Sequence, residues 1–528
     1  MRKTERKIKK IKKILGVSLA VLAMCTLALP INVLAAIKVP LDTSIEPDRN
    51  AGTDLFDTKC FYKNVLDLNI SSSDGQNTSV LHDEKYSTSL SFAEGTKIEV
   101  KSDTPMHGLY IIWDSLIGEW NLNINGNDYT YGKYGFLHEY IELPEECTSL
   151  VITVPDGDHG VERNLSGQRI SDIIAFDSAD LPVWVQTWEP PCEEADILAF
   201  STHSDDEHIF LGGLLPIYQV EKGVRVQFAY LTQHWNGERI REHEKLNGIW
   251  LAGAKYYPIL GTFDDAYSKN YEGAAESISE DDAVAYIAGV IRRTHPQVVV
   301  TQDLNGEYGH GQHMFLAKNT IKGVEQAGDE SYDGGSLSSY GTWSTPKLYI
   351  HLYGEEGERT VLDMRTPLEN FGGKRAIDIA RQAYLCHQSQ QWCDFTVDDY
   401  GPYSAALFGL YSSTTGPDTN KNDLMENLVS YDEQEEIKRQ EEARLEEERL
   451  KAEQEEKERL EKEAALKEAS ENKEDDIDKK KEASMSGMEI FILAAVVVAV
   501  LMTASFGAYL FVSSNNKKKR KKRRRRRR

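Results

Sequence analysis

An α/β fold with a mainly parallel sheet, preceded by a β-sandwich and followed by a charged helix, is predicted by three observations. From about residue 193, short strands of buried type alternate with helical stretches. Before that, β-rich runs are separated by turns. After residue 431 the chain is dominated by Glu, Lys and Arg for some fifty residues. Alternating strands and helices imply a parallel sheet, because each crossover helix must bury its apolar stripe against the sheet.

The elements follow in order. Arg2 to Lys13 is basic, Ile14 to Leu29 apolar, and Val33-Leu34-Ala35 offers a small-residue cleavage point, which predicts a secretory signal over residues 1–36. Residues 40–190 hold the runs Leu109-Tyr110-Ile111-Ile112-Trp113, Trp120-Asn121-Leu122-Asn123-Ile124 and Leu150-Val151-Ile152-Thr153-Val154. Turn signals at Asn125-Gly126-Asn127-Asp128 and Pro155-Asp156-Gly157-Asp158 stand near them. Short strands between turns predict a β-sandwich accessory domain. Val80-Leu81-His82-Asp83-Glu84-Lys85-Tyr86-Ser87-Thr88 resembles the opening of discoidin-like (galactose-binding-like) jelly rolls. Trp113, Trp120, Tyr129 and Tyr131 could stack on a sugar ring, but core packing is the favoured reading.

Residues 193–413 form the α/β domain. Asp196-Ile197-Leu198-Ala199-Phe200, Val224 to Thr232, Val298-Val299-Val300 and Lys347 to Tyr353 are its strands. Ile209 to Glu221, Arg241 to Ala252, Asp281 to Arg293, Met314 to Lys322 and Lys374 to His387 are its helices. Residues 431–482 predict a helical or disordered solvated stalk. Leu445, Leu450, Leu460 and Leu466 do not keep a 3.5-residue spacing, so a long coiled coil is disfavoured. Ile490 to Val512 is uncharged and long enough to be a transmembrane helix. The basic tail over 513–528 then stays cytoplasmic, which puts everything between signal and anchor outside the cell.

Composition excludes several functions. The net charge of −24 includes two strongly basic ends, so the intervening body is more acidic than the total indicates. An acidic body argues against nucleic acid as a partner, because phosphate binding needs a basic face. Beyond the signal lie Cys60, Cys147, Cys192, Cys386 and Cys393, with no CxxC spacing among them. Thiolate ligation of a metal is therefore disfavoured, and disulfide pairing is left open.

Two polar clusters carry the chemistry. The first strand of the α/β domain runs into His203-Ser204-Asp205-Asp206-Glu207, and the strand at Val298 runs into Tyr308-Gly309-His310-Gly311-Gln312-His313. Ligand sites in open α/β sheets lie beyond the carboxyl ends of the strands. Three successive acids beside a histidine repel one another unless a cation sits among them, and histidine and carboxylate are both zinc ligands.

These clusters resemble the PIG-L (LmbE-like) zinc de-N-acetylase family, whose first motif reads AHPDDE and whose second commonly reads GHPDH. Thr202-His203-Ser204-Asp205-Asp206-Glu207 and Gly309-His310-Gly311-Gln312-His313 match them. Arg241, Glu244 and Gly253 fit the intervening Arg-x-x-Glu…Gly helix, and His387-Gln388-Ser389-Gln390 the HxSQ segment. The resemblance implies a Rossmann-like mainly parallel sheet and a Zn2+ held by His203, Asp206 and His313. It implies Asp205 as general base, Tyr308 as oxyanion donor, His310 as acid to the leaving amine and Arg241 as a substrate contact. Glu207 is placed behind the ligands rather than among them. Ser204 replaces the usual Pro, and Gly311-Gln312 replaces Pro-Asp; the lost Asp normally orients the first histidine of that motif.

The expected function is an extracellular zinc-dependent N-deacetylase acting on a GlcNAc-type N-acetylated sugar or glycan, anchored to the membrane by its C-terminal helix. The alternative is a glycan-binding surface protein with a vestigial deacetylase domain.

Overall fold

A computed structural model of the 528-residue chain describes residues 64–155, 167–393, 395–478 and 498. The expected signal segment, the basic tail and all but Val498 of the expected membrane span lie outside the described residues. Among the described residues no helix is long and apolar enough to cross a membrane.

The N-terminal region forms one antiparallel sheet. Its strands are β1 (Asn69–Ser72), β2 (Leu90–Phe92), β3 (Lys97–Trp113), β4 (Trp120–Ile124), β5 (Asn127–Tyr131), β6 (His138–Thr153) and β7 (Gln168–Phe176). They run in the order β2-β7-β3-β6-β4-β5, with β1 on β3. The expected sandwich is thus a single sheet curled into a half-barrel. The long strands β3 and β6 cause this, since they shift register between Lys101 and Gly108 and carry the sheet around on itself. Trp113 and Trp120 are buried with ring centroids 5.7 Å apart, and Tyr129 and Tyr131 pack against the same core, so all four serve packing. That core continues without a break into the following region.

There β8 (Ile197–Ser201) leads to the short helix α1 (Asp206–Ile209), then β9 (Val226–Tyr230), α2 (Ile240–Leu251), α3 (Glu280–Thr294) and β10 (Val298–Thr301). After these come α4 (Gly311–Gly328), β11 (Lys347–His351), β12 (Thr360–Val361), α5 (Ala376–Tyr384) and β13 (Leu407–Ser413). The sheet order is β12-β13-β11-β10-β8-β9. The four strands β9, β8, β10 and β11 are mutually parallel, while β13 and β12 add an antiparallel edge. From β8 the chain moves first to one side, into β9, and later to the other, into β10. The crevice above β8 and β10 is therefore the switch point at which such sheets bind ligands.

Three helices differ from expectation. The stretch expected from Ile209 to Glu221 breaks after Ile209 at Gly212-Gly213 and resumes as a π-helical turn over Leu215–Glu221. Helix α4 begins at Gly311 rather than Met314, with His310 as its N-cap. Helix α5 is shorter than Lys374 to His387. By contrast α3 matches closely, because Ser279 caps it and acids fill its first turn and arginines its last.

Packing against the sheet continues past β13. Lys347 Nζ reaches Asp418 Oδ1 at 2.5 Å, and Leu424 is fully buried. Helix α6 (Tyr431–Asp478) follows with 48 residues, about 72 Å at 1.5 Å per residue. Leu445, Leu450, Leu460 and Leu466 are each more than half exposed on it. Pairs such as Glu447–Lys451, at 2.6 Å, support an isolated helix. Cys147 and Cys192 are free thiols, and Cys60 lies outside the described residues.

Candidate active site

The loop leaving β8 turns sharply enough to fold the first motif onto itself. Asp205 holds φ of 113°, a conformation costly for a residue with a Cβ, and its N–H donates to Glu207 Oε2 at 2.7 Å. The next residue, Asp206, opens α1 and accepts the His203 N–H through Oδ2 at 2.9 Å. From the other side of the crevice, α4 brings in His313 from its first turn.

His203, Asp206 and His313 are brought together. His203 Nδ1 lies 3.1 Å from Asp206 Oδ2 and 3.1 Å from His313 Nε2, and His313 Nε2 lies 3.1 Å from Asp206 Oδ2. An equilateral set of donors with these separations can share one ion at about 2.0–2.2 Å, leaving a face open for water or substrate. All three side chains are buried.

Charge supports the same fit. Burial disfavours protonation of His313, yet Asp206 and Glu307 draw its pKa up to about 10. Burial likewise opposes charge on His203, and Asp265 and Asp206 outweigh it. Two imidazolium rings cannot share a 3.1 Å contact cheaply. One central cation satisfies the carboxylates while leaving both rings neutral.

Each ligand is held from behind. His313 Nδ1 faces Glu307 Oε2 at 2.9 Å, and Glu307 Oε1 meets His351 Nδ1 at 2.7 Å. Burial raises the Glu307 carboxyl, but bonds from His313 and His351 bring it down to about 2. His203 Nε2 donates to Gln312 Oε1 at 2.8 Å, with Asp265 Oδ1 at 3.4 Å. The Gln312 side chain therefore orients His203, and only its backbone N–H reaches His310. The sequence gives little sign of Asp265, His234 or His351. Asp265 comes from a loop far from both motifs in sequence, and His234 accepts the Ser204 N–H at 3.4 Å.

Asp205 is not tied into the ligand triangle. Burial raises its pKa, opposed by Arg241 and aided by Asp206, which suits a carboxylate that accepts a proton near neutrality. Arg241 Nη2 donates to the Ser204 carbonyl at 2.7 Å and lies 3.6 Å from Asp205 Oδ1, while Nη1 binds Asp265 at 3.0 Å. Its acidic partners are Asp265, Asp205 and, at 3.9 Å, Glu238. Glu244 instead takes the N–H and hydroxyl of Ser389 at 2.7 and 2.6 Å, and His387 Nε2 lies 3.1 Å from Glu207 Oε1. The helix motif and the His387-Gln388-Ser389-Gln390 segment therefore brace the first motif.

Tyr308 and His310 border the open face. Tyr308 sits at φ 47° with its ring 5.4 Å from that of His313, and burial together with Asp206 pushes its phenol up, so it remains a donor. His310 lies 4.8 Å from His203 between ring centroids. Its Nδ1 accepts the Gln312 N–H at 3.2 Å, which assigns the ring proton to Nε2. Burial, then His203 and His313, depress its pKa to about 2. The ring so placed is a neutral imidazole with one N–H to donate.

Residues 198–323 match the family model described as PIG-L: GlcNAc-PI de-N-acetylase. The chain carries a PIG-L-family domain. Over 179 residues this chain is 31% identical to a 1D-myo-inositol 2-acetamido-2-deoxy-alpha-D-glucopyranoside deacetylase of Rhodococcus erythropolis, covering 29% of this chain and 59% of that protein. Over 180 residues it is 39% identical to the protein of the same name in Thermobifida fusca, covering 29% and 60%. The chain thus spans about three-fifths of the length of these relatives. Among solved structures, the N,N'-diacetylchitobiose deacetylase from Pyrococcus horikoshii is 17% identical with a TM-score of 0.29, covering 37% of this chain and 70% of that one. Within the PIG-L domain, both metal motifs fall inside the matched segment, whereas His387 and Ser389 lie beyond it.

Proposed function

We propose that the protein is a zinc-dependent N-deacetylase that hydrolyses the acetamide of a GlcNAc-type amino sugar in a surface glycan or glycoconjugate. The observation that carries this reading is the triangle of His203, Asp206 and His313 with Asp205 beside it but free of it. A divalent ion there supplies Lewis acidity, acidifying water and polarising an amide carbonyl.

The remaining steps belong to the chain's own side chains. Asp205 takes the proton from the attacking water, its carboxyl raised by burial and steadied by Arg241. The Tyr308 hydroxyl donates to the oxygen that gains charge as the carbonyl carbon becomes tetrahedral. As the C–N bond breaks the leaving nitrogen takes up a proton, which Asp205 returns from the water it deprotonated, while His310 Nε2–H serves as a hydrogen-bond donor beside it. Arg241, through Asp265 and Ser204, fixes the wall of the site that the sugar meets.

Residues 1–36 as a secretory signal and 490–512 as an anchor complete the reading, with the deacetylase outside the membrane and the basic tail in the cytoplasm. Protease treatment of intact cells tests this, the expected result being loss of the PIG-L domain with the tail retained. Acetate release from a panel of N-acetylated glycans tests the chemistry. Release that stops on chelation and returns with zinc supports it, and bound metal without release from any glycan favours a vestigial domain.

A further inference from the structure

Large aromatic side chains exposed on a soluble surface mark binding sites when they gather in one place. Here they gather around the metal triangle. Tyr267 is 73% exposed, and its ring meets the edge of His310 at 5.2 Å. On the other side of His310, at 5.7 Å, stands Tyr308, which is 40% exposed. Phe395 lies 4.8 Å beyond it, and Tyr403, 37% exposed, lies 6.4 Å from it. Trp392, 78% exposed, stands three residues before Phe395 in the same segment after α5.

We propose that these rings are stacking subsites for sugars flanking the one that reacts, so that the substrate is an oligosaccharide chain rather than a single amino sugar on a small aglycone. This rests on the deacetylase reading. The exposed residues are Tyr and Trp, which present an apolar face with a polar tip and so match the C–H face and hydroxyl rim of a pyranose. Exposed Leu or Ile would instead fit an apolar protein surface. The rings also lie on both sides of His310, in the loop after Asp265 and in the loop after α5, so a ligand touching both must extend past the reacting centre.

The test uses the full-length protein, the β-linked tetramer of N-acetylglucosamine, and N-acetylglucosamine itself. The expected kcat/KM is higher on the tetramer. Tyr267→Ala and Trp392→Ala each lower it about five- to tenfold through KM on the tetramer while leaving the monosaccharide unchanged, and Tyr267→Phe restores it. Equal kcat/KM on both compounds, or equal loss on both in the variants, overturns the proposal. Calorimetry on Asp205→Asn separates the two readings. Tetramer binding that weakens with Trp392→Ala upholds the subsites even if no acetate is released. Equal affinity for tetramer and monosaccharide overturns them even if acetate is released.

Discussion

Asp114 of the half-barrel and His243 of α2 meet at the junction of the two sheets, His243 Nε2 lying 3.3 Å from Asp114 Oδ1. The other ring nitrogen of His243 is 2.8 Å from His138 Nε2, so the imidazole links β6 and the residue that follows β3 to the helix that carries Arg241. Asp114 also receives Arg239 and Arg169. The half-barrel thereby takes part in holding a wall of the candidate active site.

Removing this carboxylate takes an acceptor away from a buried histidine and two arginines. Asp114→Ala is expected to cost about 3–5 kcal/mol, as when one partner of a buried pair is deleted. Urea unfolding of the variant measures it. A loss below about 1 kcal/mol would show that the junction relaxes around the gap.

The same group sets an acid limb of stability. Burial raises the Asp114 carboxyl, but the hydrogen bond and charge of His243 and the charge of Arg239 outweigh it and hold the pKa well below the usual range. A depressed carboxylate contributes stability that is present above its unfolded pKa of about 3.9 and is lost as pH falls toward the folded value. Thermal unfolding between pH 5 and 2 should therefore fall more steeply in the wild type than in Asp114→Asn.

Asp205→Asn should keep the ligands and lose the base. The expected result is a metal content equal to wild type with kcat lower by about 10²- to 10⁴-fold, the usual contribution of a positioned base. Metal analysis beside acetate release checks both halves. Loss of metal in this variant would make Asp205 a ligand and remove it from the proton-transfer role.

The convergence of His203, Asp206 and His313 was legible because each motif is short and the strand-then-loop pattern places both motifs at one end of the sheet. What supports the ligands was not. Asp265, Glu307 and His351 reach the site through folding rather than spacing, although Glu307 does stand between the strand and the histidines in the second segment. The half-barrel was misjudged for a related reason. Pro105 and Pro144 look like strand breakers, yet β3 and β6 run through them, and the register shifts near Met106 absorb the disruption. The break after Ile209 had a visible signal in Gly212-Gly213, outweighed in the pattern by the apolar residues on either side.

Gln312 stands where a carboxylate is usual, and its amide oxygen accepts from the ligand His203 at 2.8 Å. Gln312→Ala is expected to weaken metal binding about 10- to 100-fold, the scale for residues that orient a ligand. Competition against a chelator of known affinity reads this directly. An unchanged affinity would assign the orientation of His203 to Asp265 alone.

Gly311 begins α4 between His310 and His313, and its N–H donates to the Ser268 carbonyl at 2.8 Å. A Cβ there would lie 2.1 Å from the Asn270 carbonyl oxygen and 2.4 Å from Ser268 Oγ. Because the nearer obstacle is backbone, relief requires the 268–270 loop or the helix start to move, and both histidines ride on that start. Gly311→Ala should cost about 1–3 kcal/mol and also weaken metal binding. Gly309→Ala is the control. Its φ is +79° with nothing near the added Cβ, so strain alone, about 1–2 kcal/mol, is expected. If both variants bind metal alike, the contact of Gly311 with the 268–270 loop does not position the site.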